Sequence, residues 1–241
     1  MLTMSTPGPR MAVMARPRAT GAAAARKPRS RYHHGNLRQA LLDEAVSTIR
    51  AEGVDGLTLR EIGARLGVSR TALYRHFADK QALLAAVATD GFRGLREQLI
   101  AAWERGGRGP DGFDAMGAAY VAFAVANPAH YRVMFGRFVD QEAGRPELAA
   151  EASGAFHALV DALAALQRDG LVRADDLATQ ASFVWAVVHG VAMLGIDGKL
   201  GEPVAVDALT RYAIDQLKVG IGAAKGHQPA SLRRRARRRG D

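Results

Sequence analysis

The chain has 241 residues, 48% of them apolar and none of them cysteine, and a formal net charge of +9. The length allows one large or two small domains with a sizeable core, and the lack of cysteine excludes a disulfide framework, thiol redox sensing and a Cys-ligated zinc site. The charge sits at the ends: residues 1–31 carry +7 and residues 223–241 carry +6, while 32–77 carry +1 and 78–222 carry −5. Basic ends on a mildly acidic body suit a protein whose arms touch a polyanion. Apolar runs are short and interrupted, so no membrane-spanning helix is expected.

Residues 1–31 are rich in Pro, Gly, Ala and Arg without an apolar period, which predicts a disordered basic arm with no secretory signal. His33 and His34 follow with no third ligand nearby, so they read as a solvated pair and no metal site is expected. In "NLRQALLDEAVSTIRAEG", Leu37, Ala40, Leu41, Ala45, Val46 and Ile49 fall on one helical face. Asn36 is placed to cap that helix and Gly53 to end it.

"TLREIGARLG" is the second helix. Thr58 and Glu61 form a capping box, each side chain meeting a backbone N–H of the first turn, and Leu59, Ile62 and Leu66 make the inward stripe. Gly63 leaves room for a close crossing, and Gly67 permits the left-handed turn that stops the helix. Ser69 caps a third helix, "RTALYRHF", whose Leu73 and Phe77 face inward. Thr71 and Arg75 then point furthest out, with Arg70 and Tyr74 on one flank and Ala72 and His76 on the other. Two helices joined by a short glycine turn, with a supporting helix ahead, make a helix-turn-helix unit whose last helix reads the major groove. In that position Arg70 can grip guanine bidentately, Thr71 can meet a base edge, and Tyr74 can bond a phosphate.

The stretch "LTLREIGARLGVSRTALYRHFADKQALL", with "YHHGNLRQALLDEA" ahead of it, resembles the DNA-binding domain of TetR-family transcriptional regulators over about fifty residues without a gap. The resemblance implies that Thr58, Tyr74 and Lys80 meet phosphates and that Arg60, Arg70, Thr71 and Ala72 approach bases. Ser69, Arg75 and His76 complete the candidate DNA-facing set.

From Asp79 a long helix is expected to about Glu104, spanning ~39 Å, weakened by Gly91 and Gly94. Five further helical patterns follow: "FDAMGAAYVAFAVAN", "AHYRVMFGRF", "ELAAEASGAFHALVDALAALQRDG", "DDLATQASFVWAVVHGVAMLGIDG" and "VAVDALTRYAIDQLKVGIG". The expected fold is all-α, with about nine helices and no strand-like alternation. "NPAHYRVMF" and "WAVVHG" resemble the TetR C-terminal class named for a Trp-His-Gly signature, here Trp185, His189 and Gly190. That resemblance implies a homodimer through residues 175–222, where Gly190 and Gly195 suit close helix approach. Only 6% of the chain is aromatic, yet the body concentrates such residues. Tyr120, Phe123, Tyr131, Met134, Phe135, Phe156, Trp185 and His189 are the candidate lining of an effector pocket, which the family resemblance rather than the periodicity suggests.

The expected organisation is a basic arm over 1–31, a helix-turn-helix domain over 32–80, a regulatory and dimerisation domain over 81–222, and an Arg-rich disordered tail over 223–241. The expected protein is a cytoplasmic bacterial regulator, a repressor released from a near-palindromic operator by a small apolar molecule, lying on the nucleoid when bound. An activator or ligand-independent regulator is the nearest alternative. An architectural protein bound non-specifically through its tails is the competitor from another class. No Ser-His-Asp ordering, phosphate-binding glycine loop, metal spacing or paired carboxylate motif supports an enzyme, and no cofactor is expected.

Overall fold

A computed structural model describes residues 37–139, 145–201 and 205–223, all within one compact unit. The two basic arms, the His33–His34 pair and the Asn36 cap lie outside the described residues. Nine α-helices and no strand are found among the described residues: α1 Leu37–Glu52, α2 Leu59–Leu66, α3 Arg70–Tyr74, α4 Lys80–Arg105, α5 Pro110–Ala126, α6 Pro128–Phe135, α7 Pro146–Arg168, α8 Leu177–Ile196 and α9 Val206–Ile221. One isolated antiparallel bridge, Val172 to Gly222, ties the α7–α8 loop to the end of α9.

Local chemistry sets the first four helices. Gly53 takes a left-handed conformation (φ 79°) after α1, and Gly67 does so (φ 67°) after α2. The Thr58 hydroxyl accepts from the Glu61 N–H at 3.2 Å. The Glu61 carboxylate accepts from that same hydroxyl at 2.8 Å, so the box closes side chain to side chain instead of onto the Thr58 N–H. Ser69 accepts from the Ala72 N–H at 3.2 Å and starts α3. Asp79 accepts from the Ala82 N–H at 2.7 Å and starts α4. A Cβ added at Gly63 would meet the Leu73 side chain at 2.9 Å, which is the close crossing expected there. Leu41, Leu57, Ile62, Leu73, Phe77, Leu83 and Leu84 bury together and lock α1 to α4 around the turn. Arg65 adds a polar clasp, donating to Glu52, Glu44 and the buried Thr48 hydroxyl of α1.

α3 is shorter than the period predicts. After Tyr74 the His76 N–H bonds the Leu73 carbonyl and the Phe77 N–H also turns back to Leu73, so a tight turn continues the inward stripe without continuing the helix. α6 likewise ends at Phe135 and not at Phe138.

α4 is the spine, packing on α1 at its start and on α5, α6 and α7 beyond. Its Gly91 lies where α6 crosses: a Cβ there would collide with the Met134 sulfur at 2.5 Å. That contact explains a glycine whose helix propensity is poor. Arg93 and Arg96 hold α7 through Glu147 and Glu151, at 3.0 to 3.1 Å.

By length and composition alone, α8 is apolar enough to cross a membrane, although the apolar runs of the sequence read as short and interrupted. The reason is that α8 is apolar on two faces. Ala181, Val184, Val188 and Ala192 pack inward, while Phe183, Gly190 and Leu194 look out. Gly195 is not on the outer face: a Cβ there would touch Val206 at 3.1 Å and Val125 at 3.8 Å within the same chain. Gly190 has nothing within 4 Å.

Candidate nucleic-acid interface and ligand cavity

The outer surface of α2 and α3 gathers most of the expected DNA-facing residues. Thr58, Arg60, Ser69, Arg70, Thr71, Tyr74 and Arg75 are exposed, and Ala72 and His76 are half-buried at the edge. Arg60 and Arg70 flank one groove between the two helices, with Ser69 and Tyr74 on its wall. The Arg70 guanidinium lies over the Tyr74 ring at 5.9 Å, so the ring holds the cation near the surface. Arg60, Arg70 and Arg75 make no ion pair with any described residue, in contrast to Arg65, which carboxylates neutralise on the inner side. Lys80 stands apart. It is half-buried, and its ammonium donates to the Asp55 carbonyl at 3.4 Å, so it braces the α1–α2 loop beside this surface.

The body holds a cavity of about 510 Å³ between α4, α5, α7, α8 and α9, closed on one side by α6. Four of the expected lining residues are there: Tyr120, Phe135, Phe156 and Trp185. Phe123, Tyr131, Met134 and His189 do not line it. Phe123 packs beside Gly94, Met134 fills the crossing over Gly91, and both are buried. Tyr131 is fully buried behind Tyr120, and His189 sits behind Trp185. The rest of the wall includes Phe113 and Met116, which belong to the aromatic and Met enrichment of the body, and Leu95, Leu99, Ile214 and Leu217, which sequence reasoning did not single out as lining.

The two misplaced polar residues nonetheless organise the wall. Tyr131 donates to the Tyr120 hydroxyl at 2.8 Å, and the His189 Nδ1 lies 2.7 Å from Tyr131 and 3.1 Å from Tyr120. The Trp185 indole N–H donates to Tyr120 at 3.0 Å. This knot joins α5, α6 and α8 at one point. Burial pushes the Tyr120 hydroxyl up to about 12 and drives Tyr131 further in the same direction, with the neighbouring Tyr120 adding to it. Burial also lowers His189. Both phenols therefore keep their protons at neutral pH, and the imidazole is uncharged.

The His189 shift has a sign that can be measured. Because the folded state resists the proton, the unfolded chain takes it up first as pH falls through about 6.5, and stability is lost in that direction. We expect the melting temperature to decline on acidification across that window, and the decline to be shallower in His189→Gln. Equal slopes for the two proteins would show that the buried imidazole is not responsible.

These elements define a helix-turn-helix protein with a cavity-bearing helical body. A model of the bacterial regulatory proteins of the tetR family matches residues 41–87, and one of the tetracyclin repressor-like C-terminal domain matches residues 113–217. A solved protein of unknown function from Rhodococcus sp. RHA1 shares the fold with a TM-score of 0.73 and is 33% identical, over 81% of this chain and 100% of that one. YobS of Bacillus subtilis, an uncharacterized HTH-type transcriptional regulator, is 31% identical over 98 residues, 40% of this chain and 50% of the relative. The class D tetracycline repressor protein of Escherichia coli is 38% identical over 53 residues, 22% of this chain and 24% of that repressor. The matches to these two relatives thus span half or less of their length. The chain belongs to the tetR family of bacterial regulatory proteins.

Proposed function

We propose that this protein is a homodimeric, sequence-specific transcriptional repressor that leaves a near-palindromic operator when a small apolar molecule fills the body cavity. The observation that carries the reading is the set of unpaired guanidiniums of Arg60, Arg70 and Arg75 on the face of α2 and α3. Unpaired, outward and beside compact hydroxyls, they suit base edges and phosphates. Thr58 and Tyr74 serve phosphates, Thr71 and Ala72 a base edge, and His76 the backbone at the rim. Lys80 serves a phosphate as well, from a position where it also braces the α1–α2 loop. Residues 32–80 form the reading head and 81–222 the regulatory and dimerising body. The basic segments 1–31 and 223–241 add salt-dependent affinity. Family relatives named as repressors favour repression over activation, and nothing in the site favours an enzyme, so no turnover is expected.

Trp185, His189 and Gly190 match the Trp-His-Gly signature, and we place the C-terminal domain in that class. Their positions give the signature a physical sense: Trp185 walls the cavity, His189 ties the tyrosines, and Gly190 leaves the outer face flat. The route from cavity to DNA is short. α4 starts at the Asp79 cap beside the reading head and puts Phe92, Leu95 and Leu99 in the cavity wall. α6 puts Phe135 in the wall and also packs on α1 and α4. A ligand that favours one setting of these helices shifts the spacing of the two heads away from the ~34–36 Å that successive half-sites require.

Footprinting of the purified protein on the DNA beside its own gene tests this at two salt concentrations. A symmetric protected site that survives the higher salt is expected. Diffuse coverage lost with salt would instead support binding through the basic arms alone.

A further inference from the structure

We propose that the cavity takes a neutral amphiphile, with an apolar body among α4, α5 and α9 and one uncharged hydrogen-bonding end in the gap between α7 and α8. This rests on the cavity being the effector site, and it adds the effector's chemical class.

The cavity has a direction. Of its lining residues only Ser153, His157, Ser182 and Trp185 are exposed, and they all lie on α7 and α8, so the mouth is there. The far end is walled by Leu95, Leu99, Phe113 and Met116, without a polar side chain. No Lys, Arg, Asp or Glu lines any part of it. The inner polar atoms, the Tyr120 hydroxyl and the Trp185 N–H, are bonded to each other and to the knot behind them. None of the buried polar atoms without a partner among the described residues belongs to the lining. An ionised group drawn inside would lose its water and gain no counter-charge, whereas an apolar body loses nothing. About 510 Å³ suits a molecule of ordinary drug or lipid-fragment size.

The mouth is where hydrogen bonding is on offer. Ser153 and His157 are four apart on α7 and make no hydrogen bond with any described residue. Ser182 spends its proton on the Ala178 carbonyl at 2.8 Å and keeps its lone pairs to accept. Arg96 runs its guanidinium beside Gly154 of α7, and Glu151 already neutralises it at 3.1 Å. A carboxylate head would find hydrogen-bond donors there but no free cation among the described residues at the mouth to balance its charge. A hydroxyl, ester or amide finds donors and acceptors.

Trp185 supplies the readout, since the only other tryptophan, Trp103, can be replaced by Phe. Titrations of the Trp103→Phe protein at neutral pH use three probes with one tail: 1-dodecanol, kept below its solubility limit, and dodecanoate and dodecyltrimethylammonium, each below its micelle concentration. Dodecanol is expected to bind saturably and at least about tenfold more tightly than either ion. Adding Ala152→Phe is expected to abolish binding by filling the cavity, with the helical circular dichroism kept. Adding Ser153→Ala with His157→Ala is expected to weaken dodecanol severalfold. Equal or tighter binding of either ion, no saturable binding of dodecanol, or binding indifferent to Ala152→Phe would overturn the proposal. The footprint is then repeated with each probe. Dodecanol bound without loss of the footprint would leave the ligand class standing and sink release, and release by an ion alone would do the reverse.

Discussion

Replacing Arg70 and Thr71 together by Ala should abolish the specific footprint while leaving the fold and the low-salt affinity for arbitrary DNA in place. Both side chains are exposed on the first turn of α3, and Ser69, which caps that turn through the Ala72 N–H, is untouched. The cation–π contact at stake, Arg70 over the Tyr74 ring, is worth about 0.5–1 kcal/mol at most at so exposed a place. The inward residues Leu73 and Phe77 remain, so the melting temperature should hardly move. At the operator each base contact is worth about 1–3 kcal/mol, and a dimer makes each contact twice, so at least a hundredfold loss is expected. Binding measured on operator and scrambled DNA at two salt concentrations checks it. A double variant that still separates operator from scrambled DNA would place the reading elsewhere, with Arg60 across the same groove the first alternative.

Such a variant is easy to choose because this part of the chain was legible. Thr58, Ser69 and Asp79 cap helices through bonds to residues three positions on, and Gly53 and Gly67 stop helices by backbone conformation, so the information is local. The early end of α3 was not legible, because Phe77 falls on the inward face whether a helix or a tight turn carries it. The contact of Lys80 with the Asp55 carbonyl was not legible for a related reason: its neighbours in sequence say nothing of a carbonyl 25 residues earlier.

The cavity was the least legible feature. Leu95, Leu99 and Leu217 have the same helical period as residues packed solid, and period reports which side a residue faces, not whether another helix fills the space beyond. Aromatic enrichment found the right neighbourhood but could not tell Phe135, in the wall, from Tyr131, behind it. Gly91 and Gly195 show the same limit. Each answers to a partner far along the chain, Met134 in one case and Val206 in the other.

The other large effect is expected at the outer face of α8 and α9. Phe183 and Leu194 on α8 are 50% and 44% exposed, and Tyr212 and Val219 on α9 are 63% and 79% exposed. On α9 the inward residues Thr210, Ile214, Leu217 and Ile221 lie on the opposite side from Tyr212 and Val219, so the outer pair adds little to the subunit's own stability. Covering a large apolar side chain is worth about 1.5–3 kcal/mol when complete. Eight such side chains, four from each copy and already partly covered, then contribute on the order of 10 kcal/mol, against an association cost of about 4–15 kcal/mol. With gain and cost of the same order, one buried charge per subunit decides the outcome. Tyr212→Glu with Val219→Glu should therefore give a folded monomer with an unchanged helical spectrum, where the parent chain sedimenting at the same concentration is a dimer. Without its partner each reading head grips one half-site alone, and operator affinity should fall on the order of 10²–10⁴-fold. A variant that stays dimeric would move the interface off α9. A monomer that keeps full operator affinity would leave the apolar outer side of α8 without its explanation, because no second copy would then be needed to cover it.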